Sequence, residues 1–309
     1  MNDSQNGFLR LAARLGPPAL AGLTASATAG YTLLVEPYRL EVTRPRLVAP
    51  RLPEALEGLR VLLLADPHIA RWGRREDLLM QHLGALPEAP DLIIWGGDYI
   101  YQRDGMDDAL RLAERVRALF PTVPAFGVLG NAEHKLNRTR RARFAANLEG
   151  KAGIVLLNNR QAPLTLRDET ITIAGVDDPY YGHDDLAEAL APVPPCRRFT
   201  LLLAHSPQIV ARAARAGVDV MLSGHTHGGQ IRLPLVGALK TQNPLGRRMD
   251  QGAFDRARLT GVLGRDPGGD LTLYITRGIG SAPIWRFRGV NPRLLCRPEI
   301  TLLTLHRNP

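Results

Sequence analysis

The chain has 309 residues, 45% of them apolar, and a formal net charge of +9. That apolar share, with no low-complexity stretch or long like-charge run in the middle, excludes a largely disordered protein and allows one sizeable catalytic core. The arginine excess favours polyanionic partners, a phosphorylated substrate or an anionic membrane surface among them, but only Arg138 to Arg143 cluster, and no basic stripe with interleaved aromatics marks a nucleic-acid surface.

In chain order the first feature is residues 16–35, an uncharged run rich in Ala, Gly and Thr that follows Arg10 and Arg14. It approaches the roughly 20 residues needed to cross a bilayer. The first reading of segment 1–36 is therefore a membrane anchor; a cleaved signal, with Ala27-Thr28-Ala29 as its processing site, and a buried helix are the alternatives. Arg39, Arg44, Arg46 and Arg51 outnumber the upstream arginines, so the expectation is a bacterial inner-membrane protein, single-pass or peripheral, with its catalytic domain, residues 37–309, in the cytoplasm.

Leu40, Val42, Leu47 and Val48 alternate with polar residues and predict extended structure at a sheet edge. Continuous apolar runs then predict strands buried on both faces at Leu59–Leu64, Leu92–Trp95, Ala125–Leu129, Phe199–Leu203 and Val218–Leu222. Between them, helical spacing predicts helices near Arg75–Leu86, Met106–Phe120, Thr139–Leu148 and Gln208–Ala216. Strands at Ile171–Ala174, Leu271–Ile275 and Ile300–Leu305 lack long intervening helices, so antiparallel pairs are expected there. The fold class expected is α/β: layered mixed β-sheets flanked by α-helices. Cys196 and Cys296 form no CxxC pair for a thiolate metal site; packed thiols are the default, and one bridge between them stays open.

Each long apolar run ends at a short polar motif: Ala65-Asp66-Pro67-His68, Gly97-Asp98, Gly130-Asn131, Ala204-His205-Ser206 and Gly224-His225-Thr226-His227. Ligands at strand exits converge on one sheet edge, where α/β folds bind their ligands. Carboxylates, imidazoles and an amide oxygen suit first-row divalent ions such as Mn, Fe or Zn. Arg277 and Asp178 also follow apolar runs near that edge and are candidate substrate contacts, against a structural ion pair for Arg277 and turn chemistry before Pro179 for Asp178. The apolar loop Arg232 to Leu239 either admits an acyl chain or rests on a bilayer, or is a hairpin packed on the core.

The ordered set D-x-H, G-D, G-N, H and G-H-x-H resembles the calcineurin-like metallophosphoesterase superfamily. The resemblance implies a β-sandwich core flanked by helices and two divalent metal ions, Mn first. It assigns Asp66, His68 and His227 to one ion, Asn131, His205 and His225 to the other, and Asp98 to both. The lead-in Leu52 to Gly58, the run Gly228 to Pro234, Thr276 to Gly280 and Arg297 to Ile300 look similar to a membrane-associated YaeI/YkuE-like phosphodiesterase branch, some of whose members resemble a UDP-2,3-diacylglucosamine pyrophosphatase of lipid A synthesis.

One departure stands out. Family members commonly carry a histidine directly after the motif asparagine, as the acid for the leaving oxygen, but this chain reads Asn131-Ala132-Glu133-His134. His134 is the candidate replacement, although two residues of helix rotate it about 200° away from position 132. Glu133 reads as structural. A missing acid favours good leaving groups, a pyrophosphate or an aryl ester. The implied function is a phosphodiesterase or pyrophosphatase acting on a phosphorylated lipid or sugar nucleotide at the membrane surface, with no obligate protein partner. The alternatives are a catalytically weakened metal-binding scaffold and a nucleic-acid or cyclic-nucleotide phosphodiesterase.

Overall fold

The computed structural model describes residues 17–282 and 291–308. The first half runs α1 (Pro17–Leu34), β1 (Glu41–Thr43), β2 (Arg46–Val48), β3 (Leu59–Leu64), α2 (Arg74–Gly84), β4 (Leu92–Trp95), α3 (Met106–Leu119), β5 (Ala125–Gly127), α4 (Asn131–His134), α5 (Arg138–Ala152) and β6 (Val155–Leu156). The second runs β7 (Arg160–Leu166), β8 (Glu169–Gly175), α6 (Leu186–Leu190), β9 (Thr200–Leu203), α7 (Val210–Arg215), β10 (Val220–Ser223), β11 (Arg232–Leu233), β12 (Gly237–Ala238), β13 (Gly252–Phe254), α8 (Arg256–Leu263), β14 (Thr272–Ile275) and β15 (Glu299–His306).

Two mixed sheets pack face to face. One has the order β1-β15-β3-β4-β5-β6, with β2 also on β15, and the other β13-β14-β10-β9-β8-β7. Alternation along single strands explains the layering. Val61 and Leu63 of β3 and Leu92 and Ile94 of β4 point between the sheets, where they meet Ile171, Ile173, Leu201, Leu203, Val220 and Leu222. Their neighbours Leu62, Leu64, Ile93 and Trp95 point outward onto Leu79 and Leu83 of α2, Leu110 and Val116 of α3 and Phe144 and Leu148 of α5. On the far side Leu202, Met221, Leu273 and Ile275 meet Leu186 of α6, Val210 and Ala213 of α7 and Leu259 of α8. Covered on both faces, these strands leave few positions where a polar side chain reaches water, Arg60 near the start of β3 being one, which is why they read as nearly continuous apolar runs.

The late strands have the antiparallel partners expected, β8 with β7, β14 with β13 and β15 with β3, and parallel partners besides. β14 lies parallel to β10 and antiparallel only to β13, and β15 is antiparallel to β3 but parallel to β1 and β2. A parallel neighbour requires a crossover, supplied for β14 by α8, too short to stand out by its apolar spacing.

The membrane-crossing reading is corrected. Among the described residues no helix is long and apolar enough to cross a membrane. α1 covers most of the uncharged run, but its 18 residues are dominated by Ala, Gly and Thr, whose burial in hydrocarbon gains too little. The inner-membrane placement and the cytoplasmic side were inferred from that run and fall with it; residues 1–16, with Arg10 and Arg14, lie outside the described residues. The carboxyl end of α1 docks on the domain instead: Arg293 N–H donates to Thr32 O at 3.0 Å, and Cys296 N–H to the buried Glu36 Oε1 at 2.8 Å. Cys196 is exposed and Cys296 buried, both as free thiols.

Candidate metal centre

The carboxyl ends of β3, β4 and β5 in one sheet meet those of β9 and β10 in the other, and all seven motif side chains come from the turns that follow. All are buried, from Asp66 and His205 at 0% to Asn131 at 6% exposure. Five of the seven, Asp66, His68, Asp98, His225 and His227, have φ between 45° and 68°, the left-handed region that non-glycine residues rarely occupy. Such strain at one site costs of order 1–3 kcal/mol per residue and persists only where surrounding structure enforces it. The enforcement is visible: a Cβ on Gly130 would collide with the Asp98 carboxylate, and one on Gly224 with that of Asp66.

Two clusters result. Asp66, His68 and His227 bring a carboxylate oxygen and two ring nitrogens within 4.8 Å of one another, and Asp98, His205 and His225 do the same. Asn131 Oδ1 joins the second, 3.1 Å from His205 Nε2 and 2.9 Å from His225 Nδ1. Backbone acceptors set the rings. His68 Nδ1 faces Ile100 O at 3.2 Å and His205 Nδ1 faces Gly96 O at 2.8 Å, so each ring donates there and turns its Nε2 inward. Asp98 connects the clusters: Oδ1 accepts the Ala132 N–H at 2.6 Å, while Oδ2 lies 3.3 Å from His68 Nε2 and 3.4 Å from His205 Nε2.

His68 Nε2 and His227 Nε2 face each other at 3.2 Å, and His227 Nδ1 is buried without a hydrogen-bond partner among the described residues. Carboxylates, an amide oxygen and imidazole nitrogens converging in this way fit a dinuclear divalent metal site.

Residues 59–229 match the calcineurin-like phosphoesterase family. The chain belongs to that family. It is 29% identical over 303 residues to the uncharacterised metallophosphoesterase YkuE of Bacillus subtilis (strain 168), covering 98% of this chain and 97% of that one. Against the phosphodiesterase YaeI of Escherichia coli (strain K12) it is 29% identical over 291 residues, 92% and 95% of the two chains. It is also 24% identical over 307 residues to the UDP-2,3-diacylglucosamine pyrophosphatase LpxG of Chlamydia trachomatis, 85% and 89% of the two. This calcineurin-like phosphoesterase is a metal-dependent phosphoester hydrolase.

The electrostatics carry the signature of a cation site. Burial pushes Asp66 up to about 7, with the Asp98 charge adding to it. Burial disfavours a charged His205, yet the carboxylates of Asp98 and Asp66 outweigh it and push this histidine up to about 10. Burial lowers His68 to about 4 and His225 to about 3, and takes His227 well below the usual histidine range. Positive charge is thus held between the two carboxylates while the flanking imidazoles stay neutral, as metal ligands must.

The remaining sequence candidates are placed as follows. His134 is partnered outside the clusters: Arg141 donates to its Nδ1 at 3.0 Å, its Nε2 lies 2.7 Å from Asp177 Oδ1, and its ring stacks on His183 at 4.4 Å. Arg277 gives its donors to Glu299 at 3.0 Å and Glu41 at 3.1 Å. Asp178 is fully buried, each carboxylate oxygen accepting one backbone N–H, from Tyr180 and Tyr181, both at 3.1 Å. That turn lays the Tyr180 ring 4.8 Å from the ring of His225. Glu133 has the structural place expected of it: Oε2 accepts from Gly130 at 2.8 Å and Asp98 at 3.1 Å, and Oε1 from Ile100 at 3.1 Å.

Sequence reasoning missed Gln102, Lys135 and Gln242, which line the 190 Å³ cavity over the clusters. Lys135 carried a signal, since it lies four residues after Asn131 and therefore on the same helical face; the glutamines lie in irregular loops with none. Also missed was Arg293, fully buried, which donates to the carbonyls of Arg277, Gly278 and Gly280 and braces the loop beside Asp66.

Proposed function

We propose that this chain is a dinuclear metal-dependent phosphodiesterase or pyrophosphatase, with a lipid-linked or nucleotide-linked phosphate as substrate. The observation that carries the reading is the single oxygen, Asp98 Oδ2, within 3.4 Å of a ring nitrogen from each cluster. In this reading Asp66, His68 and His227 hold one ion, Asn131, His205 and His225 the other, and Asp98 spans both. Two divalent ions, Mn first among the metals this donor set suits, would lower the pKa of water and supply Lewis-acid charge to the phosphoryl oxygens.

The chain's own residues then bind and orient the ester. The Lys135 ammonium and the amides of Gln102 and Gln242 offer donors to phosphoryl oxygens in the same cavity. Ala132 has no proton to give, and His134 directs its Nε2 proton at Asp177. A leaving group that needs no protonation is consistent with this arrangement, and a pyrophosphate meets that condition, as in the substrate named for LpxG; UDP-2,3-diacylglucosamine is accordingly the first natural compound to try. The test is turnover by purified, Mn-loaded protein of an aryl phosphodiester and of this sugar nucleotide. Cleavage of either, lost in Asp98→Ala, supports the reading; full turnover by Asp98→Ala ends it.

A further inference from the structure

Three adjacent cavities with shared wall residues lie between the metal centre and helix α1. The cavity shares His227, Gln242 and Ala282 with a neighbouring cavity of about 400 Å³, whose walls include Ile231 and Leu239. Ile231 in turn borders an open trough of about 950 Å³ along α1, lined by Ala21, Ala25, Ala29, Leu33 and Leu294. From Ala21 to Leu33 the helix contributes about 18 Å of wall.

Polarity falls along this series. It starts among carboxylates and imidazoles, passes Gln230, Lys240, Thr241 and Gln242, and ends on a wall of Ala, Leu, Ile and Thr with no charged group among the described residues. Of the threonines there, Thr32 has its hydroxyl turned back onto Thr28 O, to which it donates at 2.7 Å. Beside the middle section the β11–β12 hairpin exposes Leu233, Leu235, Val236 and Leu239. At the junction with the metal cavity, His227 Nδ1 is buried and lacks a partner among the described residues.

We propose that this groove binds the hydrocarbon chain of an amphiphilic phosphoester whose phosphate sits at the metal centre, with α1 as the wall of the distal half. The inference rests on the phosphodiesterase reading and selects the lipid-linked class within it. A nucleoside would need an aromatic face to stack on, and among the described residues no Phe, Tyr or Trp lines the two cavities beyond the metal centre. An alkyl chain needs only apolar area removed from water, at about 0.8 kcal/mol per buried methylene.

The test uses the full-length, Mn-loaded protein and a series of 4-nitrophenyl alkyl phosphodiesters from methyl to dodecyl, each below its micelle concentration. kcat/KM should rise about fourfold per methylene and level off once the chain fills the groove. Ala29→Phe and Ile231→Trp, which intrude on the distal and middle sections, should each reduce the dodecyl-to-methyl ratio at least tenfold. Flat chain dependence, or a ratio unchanged in both variants, overturns the proposal. Calorimetric binding of dodecyl phosphate against methyl phosphate reads the groove without turnover. If no diester is cleaved, the phosphodiesterase reading fails, whereas equal affinity for the two phosphates defeats the groove itself.

Discussion

Asp98 carries two duties with two oxygens: Oδ1 accepts from Ala132 and Oδ2 faces both clusters. Asp98→Ala should therefore lower phosphodiester turnover by more than Asn131→Ala, which empties one place in one cluster only; steady-state kinetics of the pair reads the order. Lys135→Ala should lower kcat/KM about 10²-fold, the usual cost of deleting a donor aimed at transition-state charge, and Lys135→Arg should restore part of it. His134→Ala should cost far less than His225→Ala, because its polar atoms are already taken by Arg141 and Asp177. Equal collapse of His134→Ala and His225→Ala would return the acid role to His134. Metal uptake should release protons near neutral pH, since His205, pushed up to about 10, holds a proton that a cation must displace. Calorimetry in buffers of different ionisation enthalpy detects it, and buffer-independent heats would count against the site.

At the scale of elements, the turn after β4 and the short helix α4 are fastened by one carboxylate. Glu133→Ala orphans the N–H groups of Asp98, Ile100 and Gly130; it should destabilise the fold by at least about 3 kcal/mol in denaturant titrations and loosen metal binding with it. A second carboxylate ties β9 to β10: buried Asp219 accepts the Thr200 N–H at 2.8 Å and lies 3.4 Å from Arg51. Burial pushes Asp219 up to about 6, only partly offset by Thr200 and Arg51. The folded state then binds its proton more tightly than the unfolded chain, so stability falls as pH rises from about 4 to about 7. Asp219→Asn should remove up to about 3 kcal/mol of that fall, read as a smaller difference in unfolding free energy between pH 4 and pH 7.5. The strands that carry ligands were legible because burial on both faces writes itself as Leu59–Leu64 or Leu92–Trp95. The antiparallel pairs of β14 and β15 were legible as well; their parallel partners were not, since parallel pairing depends on the crossover rather than on the strand's own residues.

Across the whole molecule, the site exists because two sheets end at one place: neither sheet alone supplies both clusters. The metal motifs were readable for that reason, each a polar break at the end of an apolar run. What surrounds them was not, because Gln102 and Gln242 reach the cavity from irregular loops and Arg293 from far along the chain. The uncharged run before Val35 reads as a membrane span by length and lack of charge, yet its Ala, Gly and Thr content forms a helix too weakly apolar to cross, and its carboxyl end docks on the domain. The most direct test of a two-ion site joined through Asp98 is metal content measured beside turnover, in the native chain and in Asp98→Ala. The account predicts two ions per native chain, with occupancy and phosphodiester cleavage falling together in the variant. Undiminished cleavage by metal-stripped protein or by Asp98→Ala would contradict it.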